Sequence, residues 1–172
     1  MSQDLEALRY PIGRFRYQPG ENISQRIETI RHIPARIKRL LASADDSLLD
    51  TPYRPEGWTI RQLVHHVADS HLNAYVRFKL ALTEEVPTIK PYEEAAWAKL
   101  PDSRLPIGVS LQLLESIHQR WSVILDNMKA EDFERKLFHP EQKKELSLDV
   151  MLSLYHWHSE HHFAHMQLVI NS

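Results

Sequence analysis

The chain has 172 residues, 42% hydrophobic and 26% charged, enough for one apolar core and too few for several. Its 21 Lys and Arg against 23 Asp and Glu give a formal charge of -2, so no net positive field draws in nucleic acid or anionic lipid. There is no cysteine, which removes disulfides, thiolate metal sites and cysteine nucleophiles and leaves nitrogen and oxygen as the ligands for any metal.

The opening stretch MSQDLEALRYPIGRF carries charges where a signal peptide needs an apolar run, and no predominantly apolar segment reaches the length of about eighteen residues that spans a bilayer. We therefore expect a cytoplasmic protein that does not engage a membrane. Only four glycines occur, and the Val, Ile and Tyr residues form no alternating runs, so an all-α protein is expected, one domain over residues 1–172.

Four long helices are predicted. The first covers about Ser24 to Ala44, with Ile27, Ile30, Ile33, Ile37 and Leu40 or Leu41 recurring at helical steps. The second starts at Thr59, whose partner Gln62 three residues on completes a capping box, and runs to about Thr83 with Ile60, Leu63, Val64, Val67, His71, Ala74, Tyr75, Phe78 and Leu82 on one face. Residues 84–107 contain Pro87, Pro91, Pro101 and Pro106, which exclude a continuous helix and predict a long crossover with one short helix near Glu93 to Lys99. The third helix is expected from about Ser110 to Met128, through Leu111, Leu114, Ile117, Trp121, Ile124 and Leu125. Residues 131–146 read as irregular. The last helix begins near Ser147 as N-cap, with Asp149 in its first turn, and reaches about Ile170. Four helices with a long crossover between the second and third make a four-helix bundle, a fold whose facing helices build metal sites.

The chemistry concentrates in histidine. Of 11 histidines, His65, His66 and His71 fall on the second predicted helix and His156, His158, His161, His162 and His165 on the last. Residues four apart lie on one helix face about 6 Å apart along the axis, so either His158 with His162 or His161 with His165 can reach one ion. Spacing leaves both registers open. A catalytic site wants a third protein ligand and an open position, and His65, His66 and His71 are the candidates. The alternative is a polar or pH-sensitive helix interface, but burying four imidazoles without partners costs about 1 to 3 kcal/mol each, a penalty that a metal removes.

Three stretches carry a resemblance: Trp58 through His71, Arg77 through Glu85, and Trp157-His158-Ser-Glu-His161-His162. Together they resemble the DinB superfamily, and within it the YfiT-like branch, over essentially the whole chain from Tyr10-Pro-Ile-Gly onward. The resemblance implies three histidine ligands for one divalent metal per subunit: His66, eight residues after Trp58, together with His158 and His162. His161 and His165 then fall behind the ligands or on the surface, and His65 bonds elsewhere. Zinc is the metal the resemblance favours, with nickel as the alternative, since imidazole suits both. It also implies a homodimer, a small-molecule substrate, and either metal-dependent hydrolysis or transfer of a low-molecular-weight thiol such as bacillithiol.

No catalytic base is identified. Glu160, two residues from His158, points away from the face holding His158 and His162. Asp69 and Asn73 are candidate acceptors for the second ring nitrogen of a ligand. Trp58, Trp157 and Tyr155 read as core aromatics, and Tyr92 and Trp97 as possible pocket walls on the crossover. A non-catalytic bundle braced by metal is the competing function, and DNA binding is unsupported by the charge.

Overall fold

In the computed structural model, which describes residues 2–171 and side chains from residue 5 onward, three of the four long helices start where a side chain serves their orphaned backbone donors. The elements are α1 (Ser2–Arg9), α2 (Ile23–Leu40), α3 (Asp46–Leu49), α4 (Ile60–Thr83), α5 (Glu94–Trp97), α6 (Ile107–Asn127), α7 (Ala130–Phe133), β1 (Lys136–His139), β2 (Lys144–Ser147) and α8 (Leu148–Ile170), with a 3-10 turn at Pro101–Arg104. Asn22 caps α2 by accepting from the Gln25 amide. The Thr59–Gln62 capping box opens α4 with both of its hydrogen bonds formed. Ser147 caps α8 by accepting from the Val150 amide at 3.3 Å.

Packing defines the topology. Helix α2 contacts α6 and α8, and α4 contacts the same two, so α2 lies diagonally across the bundle from α4, and α6 from α8. Arg26, buried at the start of α2, ties it to α8 through the Asp149 carboxylate at 2.6 Å and the Asp149 carbonyl at 3.0 Å. Further along, Arg36 grips Glu160 with both guanidinium nitrogens, the second at 2.9 Å.

The interior divides into two apolar clusters. One is built on Ile30, Phe78, Trp121, Leu125 and Leu152, the other on Ile33, Ile37, Leu63, Val67, Leu114 and Met166. His71 on α4 and His158 and His162 on α8 fall between them in sequence, with His66 and His118 close to that boundary on α4 and α6. They form a polar layer across the bundle.

Several boundaries depart from the sequence expectation. The first long helix stops at Leu40 rather than Ala44, because Asp45 caps α3 by accepting from the Leu48 amide at 2.9 Å. The third starts at Ile107 rather than Ser110, directly behind Pro106, whose fixed φ pre-sets the first turn. Residues 131–146 are not irregular: they hold most of α7 and an antiparallel hairpin in which buried Leu137 faces buried Leu146. Helix α1, unforeseen, packs against α8. No helix among the described residues is long and apolar enough to cross a membrane.

Candidate metal centre

His158 and His162 stand one turn apart on α8 with ring centroids 4.4 Å from each other. From α4, the His66 ring comes to 5.3 Å from His158 and 4.8 Å from His162. One ring nitrogen from each of the three lies within 4.8 Å of the other two, close enough to hold a single ion. Trp58, half-buried, packs against the second apolar cluster as expected and also leans on the His66 ring at 4.6 Å between centroids.

The electrostatics favour the ligating form. His66 is 5% exposed, and burial pushes its pKa down to about 4. Burial first, then the neighbouring imidazoles, push His158 and His162 well below the ordinary histidine range. All three rings are therefore neutral at pH 7, the state a metal requires. His66 Nε2 and His158 Nε2 face each other at 3.2 Å in this part-buried site, where a lone pair is best met by a proton or a cation. The residues present thus fit a divalent metal.

A second grouping on the same helix, His161, His162 and His165, also brings one nitrogen each within 4.8 Å. Of its members, His165 has both ring nitrogens hydrogen-bonded, whereas the buried His161 Nδ1 has no hydrogen-bond partner among the described residues. His165 Nε2 donates to the Arg9 carbonyl at 3.2 Å while Tyr53 stacks on its ring at 4.0 Å. His161 lies between Trp157, at 4.3 Å, and Tyr10, at 5.9 Å. Both are buried rather than superficial. His65 turns aside as expected, donating through Nε2 to the Leu105 carbonyl at 3.0 Å and meeting the Ser110 hydroxyl at 2.7 Å.

Other expected residues are placed differently. Glu160 is held by Arg36 and is not a solvated side chain. Asp69 and Asn73 do not meet the ligand rings: the Asn73 amide donates to the Asp69 backbone carbonyl, and the Asp69 carboxyl is pushed up to about 6 by burial and by Asp102. What stands behind His158 instead is His71, whose Nε2 is 3.1 Å from His158 Nδ1, and behind His71 is His118, at 2.8 Å. Sequence reasoning missed His118. Its signal was its place on the apolar stripe of α6, four residues after Leu114 and three before Trp121.

A cleft of about 200 Å³ reaches His158 from outside and is lined in part by Ser70, Arg77, Tyr92, Glu94 and Tyr155. Arg77 is oriented there by donating to the Tyr155 hydroxyl and to the Lys90 carbonyl, each at 3.2 Å. Burial raises the Tyr155 hydroxyl pKa, and it raises the Glu94 carboxyl as well. Tyr92 walls this cleft as expected, while Trp97 is not among its lining residues and packs against Tyr92 at a tilt, 4.4 Å between ring centroids.

A helical bundle whose interior presents convergent imidazoles from two distant helices is the architecture of a metal-binding bundle protein. Residues 29–166 match the profile of the DinB superfamily, and the chain belongs to that superfamily. A Bacillus cereus protein named "Putative metal-dependent hydrolase" is 52% identical over 165 residues, covering 94% of this chain and 95% of its own. A Bacillus anthracis protein of the same name is 51% identical over the same span. Among solved structures, YfiT from Bacillus subtilis, described as "a probable metal-dependent hydrolase with an unusual four-helix bundle topology", superposes with a TM-score of 0.90 at 45% identity, covering 94% of both chains.

Proposed function

We propose that His66, His158 and His162 hold one divalent metal ion and that the protein is a metal-dependent hydrolase acting on a small molecule. The observation that carries this reading is the convergence of three neutral imidazoles, buried His66 from α4 and half-buried His158 and buried His162 from α8, within 4.8 Å. Zinc is the first candidate and nickel the second, because the ligand set is all imidazole. Bound there, such an ion supplies Lewis acidity and lowers the pKa of a coordinated water toward about 7.

The chain's own residues shape what reaches that ion. The cleft beside His158 admits a small substrate and excludes a macromolecule by its volume of about 200 Å³. Arg77, pinned by Tyr155 and the Lys90 carbonyl, offers a fixed cation for an anionic group or a polarised carbonyl. The Tyr155 hydroxyl, kept protonated by burial, is a hydrogen-bond donor at neutral pH.

The test is metal analysis of untagged protein, followed by a hydrolysis panel of esters, amides and lactones run with and without a small thiol. About one equivalent of metal, lost in His66→Ala, together with thiol-independent turnover supports the reading. Below about 0.2 equivalents, with no gain on adding zinc or nickel, the metal centre falls. Turnover that strictly requires a low-molecular-weight thiol replaces the hydrolase with an S-transferase built on the same ion.

A further inference from the structure

Behind the three proposed ligands, two chains of hydrogen bonds run to backbone carbonyls that no helix uses. Pro34 stands inside α2 and has no N–H, so the carbonyl four residues earlier, Ile30, lacks its helical donor. His118 Nδ1 takes that carbonyl in a short, buried hydrogen bond. Arg9 is the last residue of α1, where carbonyls are likewise without helical partners, and His165 Nε2 donates to it at 3.2 Å.

A carbonyl only accepts, and this fixes the direction of every bond upstream. His118 must carry its proton on Nδ1, and as a neutral ring it offers a lone pair at Nε2. His71 must then donate through Nδ1, at 2.8 Å, and accept at Nε2. His158 must donate through Nδ1 to His71, at 3.1 Å. Its remaining nitrogen, Nε2, is left with a lone pair, and it is the nitrogen that faces His66. The same reasoning runs through the other chain: His165 donates to Arg9, accepts at Nδ1 from His162 Nδ1 at 3.4 Å, and so leaves His162 Nε2 unprotonated.

We propose that His71 and His118, anchored on the Ile30 carbonyl, and His165, anchored on the Arg9 carbonyl, are positioning residues that lock His158 and His162 in the Nδ1–H tautomer, so that their Nε2 lone pairs are set for a cation before it arrives. The inference rests on the ligand set proposed above. Free imidazole divides between tautomers, so a ring fixed in the ligating one loses nothing to rearrangement on binding, and groups in this position typically change metal affinity by about 10- to 100-fold. Burial of His71 and His118 at 0% and 1% exposure, with every ring nitrogen of the pair engaged, is what makes the relay directional rather than fluxional.

The decisive measurement is made on metal-free protein labelled with 15N-histidine, where two-bond proton–nitrogen correlations tell a protonated ring nitrogen from a bare one. Protons on Nδ1 of His71, His118, His158 and His162 and on Nε2 of His165 are expected. A proton on Nε2 of His158 in the wild-type protein overturns the proposal, and this readout needs no variant to fold. Zinc affinity by chelator competition supplies the second arm. His118→Leu should weaken binding by about 10- to 100-fold, and His118→Gln, which can accept from His71 and donate to Ile30, should return it to within about threefold. Unchanged affinity in a folded His118→Leu protein, or no recovery in His118→Gln, sinks the relay. Wild-type protein that takes no zinc or nickel at all sinks the ligand set instead, a failure that the tautomer spectra tell apart.

Discussion

Phe78 and Leu152 in one layer of the bundle and His71 and His118 in the next are equally dry, all at 1% exposure or less, yet they are held there by opposite means. The apolar layer is stabilised by removing carbon from water, an attraction without direction that tolerates many arrangements. The histidine layer gains nothing from dryness itself. Each ring costs free energy to bury and is tolerated only because its nitrogens meet partners in fixed positions. The difference teaches where this protein keeps its stability and where it keeps its function, and the two should respond to different perturbations.

The largest effect should come from the apolar layer. Phe78→Ala, emptying a fully buried ring site, should destabilise the fold by about 3 to 5 kcal/mol in denaturant melts while leaving the zinc affinity of the folded fraction nearly unchanged. His66→Ala should do the reverse. Zinc binding should weaken by at least about 100-fold in chelator competition, while the melting temperature of the metal-free protein moves by only a few degrees.

Acid sharpens the same contrast. Burial holds the pKa of His66 and His118 at about 4, below the unfolded value near 6.5, so between those limits the unfolded chain binds more protons than the native one. The stability of the metal-free protein is therefore fully present above pH 6.5 and is lost progressively as pH falls toward 4. These two rings together should remove about 2 kcal/mol between pH 7 and pH 5.5, measured by urea melts across that range. His118→Gln should flatten the slope, and Phe78→Ala should not.

The smallest effect is expected at the rim of the layer. Glu160→Gln loosens a partly exposed pair with Arg36 and should cost about 1 kcal/mol or less, with zinc affinity and the pH slope unaltered. A large loss of metal binding there would mean that Glu160, despite its sequence position between the two α8 ligands, reaches the ion.

Local sequence was enough for the four long helices, because each carries its own cap or apolar period: Thr59 with Gln62, Ser147 before α8, and the isoleucines of α2 at helical steps. It was not enough for the hairpin, whose strands are four residues long with one strongly buried residue each, too short for alternation to register. For the metal centre, spacing on α8 narrowed the ligands to two registers, and the family resemblance pointed to His66, His158 and His162.

What only the tertiary structure decided is the direction in which those rings are hydrogen-bonded. His71 and His118 lie 47 residues apart in sequence, and His118 and Ile30 lie 88 apart. No periodicity along one helix can encode a bond that exists only after α2, α4, α6 and α8 have packed. The chain does write down both ends of that relay, a proline that frees a carbonyl and histidines on buried helix faces. Which donor meets which acceptor is a property of the packed bundle, because hydrogen bonds need angles and distances that sequence separation does not fix.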